Sequence, residues 1–302
     1  MTAFVALAVA MSLGHGVRVR PVECNVLPGE RGANVWERAK TPELRRYCDL
    51  IASASAKLTP GSRMVEEVVH LADEADALVP GRAAPLLLKG RALTELEQYP
   101  AALASLQAAQ TRDERALDDP FALLAWARVL AFTGDTGAAR DAYRALLPRA
   151  DVLPLADRGV AYLGAGMLSM AGGPPALGDT IAILRQARRE SQDLLRAAAT
   201  FALALALDRS GAPGEAAAVL AEEGPMEAPR VMGDRRVIRA MGDGRSAAEG
   251  RAIEALALDV AGKREAARLT WQAYLATGAG AGVWDAHARA RVGAGPKAPA
   301  HP

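Results

Sequence analysis

Residues Ala83–Ala109 read AAPLLLKGRALTELEQYPAALASLQAA. Leu86, Gly90 and Leu93 fall on one face of a first helix; Tyr99-Pro100 interrupts it; Ala102, Leu106 and Ala109 then share one face of a second. Two amphipathic helices joined by a short turn make a helical hairpin. Gly90 and Ala102 are small where the two axes would cross, and a larger side chain there would push them apart.

The skeleton recurs along the chain. Gly90, Ala102 and Leu106 are 12 and then 4 residues apart, and Ala127/Ala139/Tyr143, Ala204/Ala216/Leu220 and Ala255/Ala267/Trp271 repeat those offsets. Gly134, Gly211 and Gly262 each lie five residues before the small second-helix residue, where a helix C-terminus favours glycine. Second-helix positions at Val68, Ala102, Ala139, Thr180, Ala216 and Ala267 give steps of 34, 37, 41, 36 and 51 residues. The longest steps reflect a loop at Ala171–Gly178 and an insert from about Gly224 to Arg245, rich in breakers. Composition agrees with helices throughout: 51% of residues are hydrophobic but only 4% are aromatic, so Ala, Leu and Val dominate.

At these residues the chain resembles the tetratricopeptide repeat family, whose pattern runs W-x2-L-G-x2-Y, A-x3-F and P. Leu163-Gly164 matches the L-G pair, and Ala102-x3-Leu106, Ala139-x3-Tyr143 and Ala267-x3-Trp271 match A-x3-F with other bulky residues. Val68 and Pro80 keep the step from the A position to the closing proline; Leu86 and Leu123 stand where the family has Trp. The resemblance implies an all-α, right-handed α-solenoid of about six hairpins over residues 41–292. Thr41-Pro42 starts the first helix, and a last short helix from Val283 caps the end. It also implies a groove lined by the first helix of each hairpin and entered by a protein or peptide partner. The expected lining residues are Arg91 and Arg128, equivalent in neighbouring hairpins and together a basic row, with Phe132, Phe201, Leu205 and Arg209; the alternative for Phe132 and Phe201 is core between repeats. The family's carboxylate-holding members use an Asn that is missing here.

Ala3–Gly14 is an apolar stretch too short to span a bilayer, followed by Arg18 and Arg20. Residues 1–20 read as a secretory signal, 21–40 as an irregular segment and 293–302 as a disordered tail; the alternative for the signal is a first structural helix. If the chain is exported, Cys24 and Cys48, its only cysteines, pair as a disulfide; in a cytoplasm they remain two thiols. The expected function is thus a protein-interaction scaffold of the bacterial cell envelope, exported and periplasmic. Its rivals are a cytoplasmic adaptor and a helical-repeat enzyme or ligand-binding protein.

No catalytic constellation, metal site or cofactor is expected. Glu66, His70 and Glu74 follow i, i+4, i+8 spacing but read as a solvated helix face. Arg235, Arg236 and Arg239 form either a small anion patch or solvated surface. A net charge of +1 argues against a nucleic-acid partner, and no stable membrane span is expected.

Overall fold

The structure is a computed structural model that describes Pro21, Cys24 and residues 43–59, 62–241, 245–277 and 283–293. The expected signal, most of the irregular segment, the Thr41-Pro42 start and residues 294–302 lie outside the described residues. Among the described residues are fifteen helices and no strand. In chain order these are α1 (Leu44–Lys57), α2 (Val65–Leu78), α3 (Ala83–Glu95), α4 (Tyr99–Arg112), α5 (Pro120–Thr133), α6 (Thr136–Leu146), α7 (Leu155–Met170), α8 (Leu177–Glu190), α9 (Asp193–Arg209), α10 (Pro213–Glu223), α11 (Ala228–Met232), α12 (Arg235–Met241), α13 (Arg245–Val260), α14 (Arg264–Ala276) and α15 (Asp285–Gly293).

Helices pack in chain order, α1 on α2, α3 on α4, α5 on α6, α7 on α8, α9 on α10 and α13 on α14. First members also touch along the chain: α1 meets α3, α3 meets α5, α7 meets α9 and α9 meets α13. The side of these first helices turned toward the insert, described below, is called the inner face.

Small residues set the spacing. Ala102, Ala127, Ala139, Ala204, Ala216, Ala255 and Ala267 are all fully buried, as are their bulky companions Leu106, Tyr143, Leu220 and Trp271. A Cβ on Gly90 would lie 2.6 Å from Leu106 Cγ, so the α3–α4 crossing admits only hydrogen there. In α7 the equivalent contact is made by Gly166, whose Cβ would lie 2.7 Å from Leu184 Cγ of α8. The neighbouring Gly164, which carries the L-G match in sequence, faces Tyr143 and the insert instead.

The turns repeat in detail. Gly134, Gly211 and Gly262 adopt φ of 92°, 87° and 73°, and in each case the next residue's N–H reaches back to a helix carbonyl (Asp135 to Leu130, Ala212 to Leu207, Lys263 to Leu258). The α3–α4 turn has the same bonds, Glu97 N–H to Thr94 and Gln98 N–H to Leu93, yet its left-handed residue is Glu97, at φ 61°. That conformation costs a non-glycine residue roughly 1–2 kcal/mol. Asp119 and Asp135 cap α5 and α6 by accepting from Ala122 N–H and Ala138 N–H at 2.9 and 3.0 Å.

Cys24 and Cys48 form a disulfide, buried beside Tyr47, Ile51, Val68 and Ala72. It ties the segment before α1 to the first hairpin. No helix among the described residues is long and apolar enough to cross a membrane.

Two segments depart from the expected succession. The insert is helical: Pro225 opens a 3-10 turn, Pro229 occupies the first turn of α11, and α12 follows. It folds back onto the inner face, α11 against α9 and α13, α12 against α7 and α9. α15 packs on α14, as an end cap should, but Trp284 just before it reaches back to donate its indole N–H to the Met170 carbonyl of α7 at 3.0 Å.

Ala102→Leu is expected to lower the melting temperature, at a cost of about 1–3 kcal/mol, because Ala102 is fully buried at a crossing where Gly90 already meets Leu106 closely. Thermal melts followed by circular dichroism check this, and an unchanged midpoint would show that the crossing is looser than Gly90 and Leu106 imply.

Candidate functional site

The six residues expected to line one groove fall into two groups. Arg91, Arg128 and Phe132 lie on α3 and α5, in a region where several side chains stay half-exposed. Phe201, Leu205 and Arg209 lie on α9 and are buried by the chain itself.

In the first group, the Arg91 guanidinium sits over the Phe121 ring, 4.9 Å from its centroid, and makes no hydrogen bond or ion pair among the described residues. Phe132 stacks on Tyr99 with centroids 4.1 Å apart and planes 6° from parallel. Arg91, Phe121, Phe132 and Tyr99 are all half-buried, so two aromatic contacts and one guanidinium without a hydrogen bond keep some surface in this region. Burial holds Arg91 below its ordinary pKa, against the pull of Asp119, Asp157 and Glu95.

Arg128 corrects the reading of a solvated basic row. It is buried, and its Nη1 meets Glu95 Oε1 at 2.5 Å. Burial alone would lower its pKa; the Glu95 carboxylate more than offsets that and raises it. The charge of Arg128 is therefore already matched within the chain, whereas Arg91, near Asp119, Asp157 and Glu95, makes no hydrogen bond or ion pair among the described residues. The pair also makes Arg128 structural, since truncating it would leave the half-buried Glu95 carboxylate without its hydrogen bond.

Asp157, in the first turn of α7, joins this cluster without any signal in the sequence. Burial, and then the nearby Glu95 carboxylate, push its carboxyl up to about 6, against Arg128 and Arg91, which pull it down. Tyr143 lies beneath, its hydroxyl buried without a hydrogen-bond partner and pushed up to about 12, chiefly by burial.

The second group is closed. Phe201 and Leu205 share one apolar cluster with Leu163, Met167, Val231, Met232, Val237, Ala240 and Met241, which brings the insert against α7 and α9. This places Phe201 in the core that was its alternative. The Arg209 side chain has no exposed surface: it pairs with Glu249 at 2.7 Å, reaches Tyr274 Oη at 3.3 Å and lies over the Trp284 ring at 4.6 Å. Beside it, Asp208 is met by His287 Nε2 at 2.7 Å and by Arg291, so α15 is fastened to the end of α9.

The boundary between the two groups is ionic. Glu97, at the strained α3–α4 turn, accepts from Arg235 Nε at 3.1 Å and Nη2 at 2.7 Å and also pairs with Arg239. These arginines are one helical turn apart on α12, so both meet one carboxylate 138 residues away. The hydrogen bond from Arg235, helped by Arg239, holds the Glu97 carboxyl below its ordinary range, against burial, which raises it. Arg236 pairs with Asp234. All three arginines of the expected anion patch thus have carboxylate partners. The seven residues of α12 bury Val237, Ala240 and Met241. Burial of Val or Met stabilises by roughly 1.5–3 kcal/mol each, whereas ordering a residue's backbone costs roughly 1–2 kcal/mol. On these figures two buried side chains do not offset the ordering of seven residues, so α12 depends on its remaining contacts, the clamp at Glu97 among them.

Glu97 could have been found in the sequence, since it stands five residues before Ala102, where three other units have glycine. No spacing points to Asp157 or to the Tyr99–Phe132 stack. Among the described residues no group of His, Cys, Asp or Glu is arranged to hold a metal, and Glu74 of the Glu66-His70-Glu74 face pairs with Arg46.

No family model matches the chain, and a search of curated proteins finds no match.

Arg128→Ala is expected to destabilise the fold by about 1–3 kcal/mol, whereas Arg91→Ala costs less, about 1 kcal/mol, because it ends a cation–π contact and no hydrogen bond. Equal denaturation midpoints for the two variants would contradict the assignment of Arg128 to the interior. Asp157 carries a pH dependence whose sign follows from its raised pKa. The folded chain binds the proton more tightly than the unfolded one, so ionised Asp157 opposes folding above about pH 6, and that penalty is relieved as pH falls toward the unfolded value of 3.8. Asp157→Asn should therefore stabilise the protein at pH 7.5, by at most about 3 kcal/mol, with the gain vanishing near pH 4. Urea titrations at the two pH values decide this; a gain independent of pH would refute it.

Proposed function

We propose that this chain is a divergent tetratricopeptide-type repeat protein, a right-handed α-solenoid of about six hairpins. In this reading it serves as a protein-interaction scaffold of the bacterial cell envelope and not as an enzyme. The recurrent small residues at the crossings, the repeated left-handed turns and the contacts between successive first helices support the repeat reading. The Cys24–Cys48 disulfide supports an oxidising, exported location, because such bonds persist there and are rare where thiols are kept reduced.

One observation carries the assignment of the binding surface: the half-exposed Arg91–Phe121 and Tyr99–Phe132 contacts on α3, α5 and the α4 start, beside a stretch of inner face that the chain covers itself. Aromatic and arginine side chains grouped on one surface suit a protein or peptide partner, since they bury large area and supply directional hydrogen bonds. Because Arg128 is paired internally, one anionic group of the partner fits at Arg91, flanked by apolar contacts on the rings.

The test is photo-crosslinking in the native cell with the full-length chain. A photoreactive residue replacing Phe132 should capture a defined partner, and Arg91→Glu should abolish the capture without shifting the melting temperature by more than a few degrees. A probe at Arg144, exposed on α6, should capture nothing specific. Equal capture from both positions, or capture indifferent to Arg91→Glu, would remove the inner face from the proposal.

A further inference from the structure

We propose that α11–α12 is a releasable strap across the inner face, latched at Glu97 by Arg235 and Arg239. Three independent features meet there. Glu97 occupies a left-handed turn position that Gly134, Gly211 and Gly262 fill in the matching turns, so a strained residue stands where an unstrained one would serve the turn equally well. Its carboxylate is the one that two of the three arginines of α12, Arg235 and Arg239, reach. And the backbone of α12 comes close to α7 at Gly164, where a Cβ would lie 2.5 Å from Tyr143 Oη and 2.9 Å from the Ala240 carbonyl oxygen.

The latch is built to be reversible. Arg235 is 74% exposed at its side chain, and its bond to Glu97 is open to solvent and to screening by salt. The apolar contacts of α12 do not by themselves offset the ordering of its seven residues. Release uncovers the apolar cluster around Leu163, Phe201 and Leu205 and lengthens the open inner face from α3–α5 toward α9. Its use in partner binding rests on the proposed function; the latch itself does not.

Hydrogen exchange followed by mass spectrometry on the full chain separates the two. Glu97→Gly removes the carboxylate while giving the turn the residue its counterparts use, and Arg235→Ala/Arg239→Ala removes the other half of the latch. In both variants residues 228–241 should exchange about tenfold faster or more, with 83–112 unchanged, and the wild type in about 0.5 M sodium chloride should shift the same way. Unchanged exchange of the strap would overturn the proposal, because packing alone would then hold it. Faster exchange along the whole chain would overturn it too, because the strap would be inseparable from the core. So would an effect in only one of the two variants, since a latch needs both halves. None of these outcomes depends on whether a partner is captured at Phe132.

Discussion

Helix axes in this chain come close because hydrogen or a methyl group is all that stands between them. Gly90 against Leu106 and Gly166 against Leu184 are the tightest instances, and the buried alanines at 102, 127, 139, 204, 216, 255 and 267 extend the same constraint. Close axes let a Leu, Tyr or Trp on one helix fill the space over a small residue on the next, so a chain with few aromatic residues still packs without voids. Consecutive helices thereby bury their small and bulky residues against one another.

That economy leaves the inner face to be dealt with. Toward the C-terminal end the protein covers it, with the strap against α7 and α9 and with α15 fastened at Asp208, Arg209 and Met170. Toward α3 and α5 it stays partly open, and the half-exposed rings and Arg91 are found there. Charges follow the same division. Where the chain covers itself, Arg209 and Asp208 have partners on other helices; where it does not, Arg91 lies over a ring, with carboxylates near it but none in hydrogen-bond contact among the described residues. Arg128 lies between these cases, within the open region but committed to Glu95. A guanidinium buried in an apolar setting needs a carboxylate, since the cost of desolvation would otherwise exceed what the contact returns.

The strap and the α3–α4 turn illustrate how one residue can serve two elements. Glycine at 97 would suffice for the turn. Glutamate costs the turn conformational strain and in return supplies a carboxylate to a helix more than a hundred residues later. Local and distant requirements conflict at this position, and the conflict marks it as more than a turn residue.

By itself the sequence determined the helices, their pairing and their turns. Spacings of 12 and 4 residues between small and bulky positions, and glycine five residues before three of the four second-helix alanines, are local signals, and hairpin packing is a local consequence of them. It also held the cysteine pair, because only two cysteines are present. The tertiary structure alone decided which first-helix residues are open. Arg91 and Arg128 are equivalent in their hairpins, and Phe132 and Phe201 both lie on first helices, yet one of each pair is buried. Exposure on the inner face depends on what the chain lays across it, and nothing in the spacing of the repeats says where a 51-residue step will place its extra residues. Asp157 acquires its raised pKa from Glu95 on a different helix and from burial, both products of packing. Periodicity records the contacts each hairpin makes with itself; contacts between segments 60 to 140 residues apart leave no period to read.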